Sequence, residues 1–186
     1  MVETVVTERL VLTVPTDADL DELHALHADP AVWEHFPSRR HLDRAQTVTQ
    51  IVREQVSWRE HGLGSWVLRS LADPAGPLLG LAGCRWHDGP AWNLGYRLVR
   101  TAWGRGLAAE VVSAALVAAA TVASDLPVVA YLLEHNTGSR RTAERAGLQL
   151  VWRGPDVGNP DPAAVRLVLS DRPLTAAVLT AFTDQP

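Results

Sequence analysis

The chain has 186 residues, of which 47 % are hydrophobic, with a formal net charge of −4 and one cysteine. That length suits a single domain over 1–186 with a sizeable core, and the acidic balance argues against a nucleic-acid surface. Cys84 on its own forms no internal disulfide, and the scattered histidines give no zinc spacing and no other metal site.

From the N-terminus, MVETVVTERL is too charged for a signal peptide. Leu10–Val14 reads as a strand ended by Pro15, and Thr16-Asp17-Ala18-Asp19 opens a helix to about His27 with Leu20, Leu23 and Leu26 on one face. Val32–His35 is a short turn or loop, and Pro37–Arg40 is loop. A long helix then covers roughly Leu42 to His61 and closes at Gly62. Strands are expected at Ser65–Ser70, Leu78–His87 and Ala91–Val99, with turns at Ala72–Pro77 and Asp88-Gly89-Pro90. The alanine-rich stretch after Gly106 is a helix to about Ser124. Its apolar core, 107–122, is broken by Glu110 and reads as a buried amphipathic helix, so no membrane association is expected and the location is expected to be the reducing cytoplasm. Pro127–Leu132 is a strand, parallel to Trp92–Val99 because a helix joins them. A helix at Thr137–Ala146 stops at Gly147. Leu148–Trp152 and Val165–Leu169 close the sheet as a hairpin around the loop 154–162, and Pro173–Phe182 holds a last short helix.

The most informative segment runs from Tyr96 to Val112. A strand ends, a turn with two glycines follows, and a helix starts at once. Such a turn exposes successive backbone N–H groups beside the positive end of the helix, which is a cradle for a phosphate or pyrophosphate. Gly104-Arg105-Gly106-Leu107-Ala108-Ala109 nominally fits the dinucleotide fingerprint G-x-G-x-x-A. However, an antiparallel meander precedes it, and of the acids that could bind a ribose Asp125 comes before the following strand while Glu134 follows it too far along the chain. No G-K-[ST] occurs, which excludes a nucleoside-triphosphate loop. The plain structural alternative is a glycine turn that lets a helix pack tightly on the sheet.

Asn136 follows the second parallel strand, with a helix directly behind it. Here the chain resembles the GCN5-related N-acetyltransferases (GNAT). Their acetyl-CoA loop, [Q/R]-x-x-G-x-[G/A], corresponds to Trp103-Gly104-Arg105-Gly106-Leu107-Ala108. The Trp in first place matches the spelling W-G-[K/R]-G of the branch resembling the ribosomal-protein alanine N-acetyltransferases. The later motif N-x-x-S-x-[R/K]…E-[K/R]-x-G-[F/L] fits Asn136, Ser139, Arg141, Glu144, Arg145, Gly147 and Leu148. Thr7-Glu8-Arg9-Leu10 and Gly95-Tyr96 also look like this branch.

The resemblance implies an α+β fold, with a mixed sheet of six or seven strands flanked by helices and two central parallel strands splayed apart. The pantetheine arm of acetyl-CoA would enter the splay along Leu98, Val99 and Arg100. Its pyrophosphate would lie on the N–H groups of Trp103, Gly104, Arg105, Gly106, Leu107 and Ala108, with Arg105 and Arg140 near the 3′-phosphate and Asn136 as a pantetheine or water ligand. It further implies acetyl transfer to a primary amine, on a protein N-terminus or a small molecule, by direct attack in a ternary complex. The Leu98 N–H is the candidate oxyanion donor. Many relatives place an acidic Tyr seven residues after the Asn, where this chain has Ala143, so Ser139 becomes the candidate thiolate stabiliser. Glu34 or His35 in the Trp33-Glu34-His35-Phe36 loop is the candidate base, with His87-Asp88 as a second pair. Trp33, Trp86, His87 and Trp92 are expected on the acceptor side. The net negative charge suits a basic peptide or a polyamine as acceptor, and the chain is expected to be a monomer or homodimer. A non-catalytic acyl-CoA-binding or regulatory protein of the same fold is the alternative.

Overall fold

The computed structural model describes residues 4–87 and 90–184. Eight strands form one sheet: β1 (Thr4–Val6), β2 (Leu10–Thr13), β3 (Ser65–Ser70), β4 (Gly80–His87), β5 (Ala91–Leu98), β6 (Val128–Leu133), β7 (Gln149–Pro155) and β8 (Val165–Ser170), in the order β1-β2-β3-β4-β5-β6-β8-β7. Five helices flank it: α1 (Leu20–Ala28), α2 (Arg44–His61), α3 (Leu107–Val122), α4 (Thr137–Arg145) and α5 (Ala176–Thr183). The mixed α+β architecture is as expected, but the strand count exceeds six or seven. The additional strand is β1, whose three residues are too short to carry a period-two pattern; it is held by pairing Thr4 with Thr13 and Val6 with Val11. The expected Asp88-Gly89 turn lies outside the described residues.

Local chemistry sets the boundaries. The Asp43 carboxylate accepts from the Ala45 N–H at 2.8 Å, and the Gln46 amide oxygen accepts from the N–H groups of Leu42 and Asp43, so α2 begins at Arg44 rather than Leu42. Gly62 ends α2 in the left-handed region at φ 73°. The first helix starts later than Thr16 because Asp17–Asp19 forms a 3-10 turn before α1.

The sheet separates two cores. On one face, α3 lays a narrow surface of Val111, Val112, Ala115 and Ala119 against Ala82, Cys84, Trp92 and Leu94, joined by Ala143 of α4. On the other, α1 and α2 cover Val67 and Leu81 with Leu23, Leu26 and Ile51, and α5 covers Ala91, Val129 and Val168 with Val178 and Phe182. Strand alternation therefore sends Arg85, Asn93 and Arg97 to the α1/α2 face, in step with Leu81 and Ala91.

Between α1 and α2, His27 is 3 % exposed, stacks on His41 at 4.6 Å, and has no hydrogen-bond partner on either ring nitrogen among the described residues. Burial, reinforced by His41, Arg97 and His24, pulls its pKa from 6.5 to about 3. The neutral ring is native, so the unfolded chain binds the extra proton and stability falls as pH drops from about 6.5 towards 3, by on the order of 1 kcal/mol per pH unit. The His27→Phe variant is expected to unfold less readily at pH 4.5 and to show a shallower acid limb, with little change above pH 7. Thermal melts across this range check it, and equal acid slopes in both proteins would contradict it.

Candidate active site

The sheet opens at its centre. β5 and β6 pair in parallel only at Trp92 with Val128 and Asn93 with Val129, after which they part. The Val99 N–H donates to the Leu79 carbonyl at 3.0 Å, so by antiparallel alternation the backbone groups of Tyr96 and Leu98 point away from β4, into the gap. The Glu134 N–H likewise donates to Val165, which turns Tyr131 and Leu133 of β6 towards the gap from the opposite side. Here the outcome is more selective than expected. Leu98 faces the gap through its N–H, its carbonyl accepts from the Trp103 indole at 2.8 Å, and Val99 is bonded to β4.

Beyond Leu98, a 3-10 turn at Arg100–Ala102 leads to the glycine turn. Gly104 and Gly106 adopt φ of 71° and 77°, a conformation that costs roughly 1–2 kcal/mol with an L side chain. Among the described residues, none of the backbone N–H groups from Gly104 to Ala109 has a hydrogen-bond partner; Glu110 is the first to bond back, to the Gly106 carbonyl at 3.2 Å. Arg105 and Gly106 are exposed and Leu107 is buried, so the cradle opens outward from an anchored first turn.

Residues far upstream hold that turn. The Arg9 guanidinium donates to the Arg105 carbonyl at 2.7 Å and to Glu110 at 2.7 Å, while the Thr7 hydroxyl and the Arg9 N–H also donate to Glu110, at 2.5 Å and 2.8 Å. Partial burial pushes the Glu110 pKa up, but these hydrogen bonds outweigh it and hold the carboxyl below its ordinary value. The Thr7-Glu8-Arg9-Leu10 segment therefore braces the cradle.

Across the gap, Asn136 caps α4, its side-chain oxygen accepting from the Ser139 N–H at 3.0 Å. The Ser139 hydroxyl donates to the Tyr96 hydroxyl at 2.9 Å, and Tyr96 donates in turn to the Ser139 carbonyl at 2.7 Å. Burial raises the Tyr96 pKa, so its phenol is neutral. Tyr96 entered the sequence reading only as part of the Gly95-Tyr96 pair, with no role at the site attached to it. Its contact with α4 depends on the fold, not on neighbouring sequence.

The charged and aromatic candidates divide. Arg140 is engaged with Glu144 at 2.8 Å, and Arg100 bonds Glu34 at 3.2 Å while lying 4.4 Å over the Trp103 ring. The Arg105 side chain has no ion pair among the described residues. A cleft of about 550 Å³ on the α1/α2 face reaches Asn136 and Ser139 and is walled by Trp33, His35 and Phe36. Glu34 does not line it, being drawn to Arg100 and to His35 at 3.4 Å. His135 contacts the His35 carbonyl at 2.9 Å through Nε2. Trp33 is 8 % exposed and carries the Arg97 guanidinium on its ring at 3.7 Å. Trp86, stacked on His61 at 4.1 Å, and His87, stacked on Phe182 at 3.9 Å, border an adjoining cleft of about 680 Å³. Asp88 lies outside the described residues. Trp92 lines neither cleft. It is 1 % exposed in the core under α3, because strand alternation turns it from the α1/α2 face, where it was expected to meet the acceptor.

The profile of the acetyltransferase (GNAT) domain matches residues 9–149. A protein assigned to the GnaT acetyltransferase family from Bordetella pertussis is 25 % identical with a TM-score of 0.76, covering 91 % of this chain and 99 % of its own. An acetyltransferase from Agrobacterium tumefaciens is 26 % identical with a TM-score of 0.70, covering 89 % and 92 %. RimL, a ribosomal L7/L12 alpha-N-protein acetyltransferase solved with coenzyme A, shares the fold at 14 % identity and a TM-score of 0.74, over 89 % and 95 %. The sheet that splays beside a glycine-led helix is that of an acetyltransferase fold. The chain belongs to the GNAT acetyltransferase family. Among the described residues, no helix is long and apolar enough to cross a membrane.

Proposed function

We propose that this protein transfers an acetyl group from acetyl-CoA to a primary amine by direct attack in a ternary complex. The observation that carries this reading is the alignment of two features: the gap between β5 and β6, and the unbonded amide cradle at Gly104–Ala109 one turn beyond it. The residues present fit the cofactor. Backbone groups of Tyr96 and Leu98 can pair with an amide-bearing arm as with another strand, and the cradle, with Arg105 beside it, suits a pyrophosphate.

Acetyl-CoA supplies an acyl group activated as a thioester. The chain's own residues position it and manage charge and protons. The Leu98 N–H is the donor for the carbonyl oxygen. The Ser139–Tyr96 hydroxyl pair sits at the α4 side of the gap, where it can supply a hydrogen bond, and then a proton, to the departing sulfur. Asn136 fixes Ser139 through the helix cap and orients the entrance. His35, which lines the cleft, is better placed than Glu34 to take the amine proton. Trp33 acts as the wall that supports Arg97. The RimL likeness makes a protein N-terminal amine one acceptor to test beside small amines.

Acetyl-CoA is expected to bind with micromolar affinity, near −8 kcal/mol at 1 μM, as read by titration calorimetry. The Gly106→Glu variant places a side chain and a like charge at the cradle and should lose that binding while keeping its circular dichroism. Unchanged affinity in the folded variant would mean the turn is only structural.

Ser139→Ala is expected to lower kcat about 10–100-fold, equivalent to roughly 1.4–2.7 kcal/mol, with acetyl-CoA affinity nearly unchanged. Steady-state kinetics with thiol detection, paired with a thermal melt, separate this from a weakened helix cap. A lower melting temperature at normal kcat would remove Ser139 from the chemistry. Saturable acetyl-CoA binding without turnover on any amine would instead indicate a non-catalytic acyl-CoA-binding protein.

A further inference from the structure

The cleft that reaches Asn136 and Ser139 has a charge opposite to that of the whole chain. Arg39, Arg53, Arg85 and Arg97 line it, and Glu54 is the one carboxylate among its lining residues. Arg39, Arg53 and Arg85 also border the adjoining cleft, so the two openings share a cationic wall. In that second cleft the Arg166 guanidinium is already engaged by Asp156, and Glu60 by Arg59.

Glu54 offsets only part of this wall, one carboxylate against four guanidinium groups. It is 3 % exposed, accepts from the Ser65 N–H at 2.9 Å, pairs with Arg85 at 3.6 Å and also feels the charge of Arg53. Burial pushes its pKa up, and Arg85 opposes that. Arg97 has no carboxylate partner among the described residues. Its guanidinium rests on the Trp33 ring at 3.7 Å, with a single long contact to the Val32 carbonyl at 3.4 Å. Burial brings its pKa down to about 10, which leaves it charged at neutral pH. Arg53 and Arg39 have no ion pair among the described residues either. A guanidinium held on an aromatic wall without a counter-ion keeps its donors free for an incoming anion.

The floor of the cleft is shaped to match. On the α1/α2 face, Arg85 pairs across strands with Asn93, and Arg97 with Leu81, on either side of a Gly83–Gly95 rung that bears no side chain. A Cβ built on Gly95 would meet nothing within 4 Å. Gly83 is buried against Gly64 and Ser65, so the bare patch of sheet between the arginines is Gly95, and Ser139 lines the same cleft. The cofactor's phosphates are expected elsewhere, at the start of α3, which packs on the opposite face.

We propose that the acceptor is an amine that also carries an anionic group, a phosphate or a carboxylate, which Arg97, Arg85 and Arg53 bind so that the amine lies over the Gly95 floor towards the thioester. This rests on the acetyl-transfer reading above and narrows its substrate class. It reverses the expectation drawn from net charge. At physiological salt, fields from charges elsewhere on the surface are screened beyond about 8 Å, so the local wall outweighs the chain's total.

The test uses the full chain saturated with coenzyme A, so that added phosphate cannot occupy the cradle. Calorimetric titrations are made with 2-aminoethyl phosphate, β-alanine, ethanolamine and spermidine. At least one of the two anionic amines is expected to bind about tenfold or more tighter than ethanolamine, with spermidine weakest. Arg53→Gln, on an exposed position of α2, and Arg85→Gln should each weaken that anion about fivefold or more while coenzyme A affinity stays within about twofold. Gly95→Val, which fills the floor at a backbone angle open to any residue, should weaken it likewise. Anions that bind no tighter than ethanolamine, a preference for spermidine, or unchanged anion affinity in both arginine variants would overturn the inference. A protein that binds no coenzyme A removes the acetyl-transfer reading and this inference with it. One that binds coenzyme A but favours the neutral or cationic amine removes the inference alone.

Discussion

The separation of β5 from β6 after only two paired positions is the constraint on which the rest of the site depends. A continued parallel ladder would consume the backbone groups of Tyr96, Leu98, Tyr131 and Leu133. Parting the strands leaves polar groups in the middle of a sheet, which is costly unless a ligand, water or side chain satisfies them. The structure meets part of that cost itself: the Trp103 indole covers the Leu98 carbonyl, and the Asn136 N–H covers that of Leu133. What remains open is a slot with donors and acceptors in strand spacing.

Helices on both faces keep the slot apart. α3 is held down by a face of small residues and anchored at its start by the Thr7–Arg9–Glu110 cluster, which fixes the glycine turn relative to the end of β5. α4 is set by the Asn136 cap and tied across the gap through the Ser139–Tyr96 hydroxyl pair. The glycine turn at the start of α3 and the α1/α2 cleft lie on opposite faces of one sheet, so in the proposed reaction a thioester threaded through the gap would meet an amine arriving from the other side.

Much of this was legible in the sequence because it is local. The glycine turn before an alanine-rich helix, the Asn that caps α4, and the strand–helix–strand order each depend on residues a few positions apart. What the sequence did not reveal depends on register. Arg85 and Arg97 share a face only through the pairing of β4 with β5, and Arg53 joins them only because α2 crosses that face. Trp92 was expected on the acceptor side but occupies the opposite core, a difference of one position in the strand alternation. Tyr96 gains its role from a helix more than forty residues downstream. β1 was too short to announce itself and exists by pairing with β2. Net charge carries no information on this point, since the arginines come together only in the folded cleft.

The central claim is that the parted strands and the glycine turn together hold the acyl donor. Amide hydrogen exchange with and without saturating acetyl-CoA tests it most directly, because the open backbone groups are themselves the reporters. The account predicts that added protection concentrates at Tyr96, Leu98 and Gly104–Ala109, with a smaller effect at Tyr131 and Leu133. Binding that leaves those amides unprotected and instead protects another surface would contradict it.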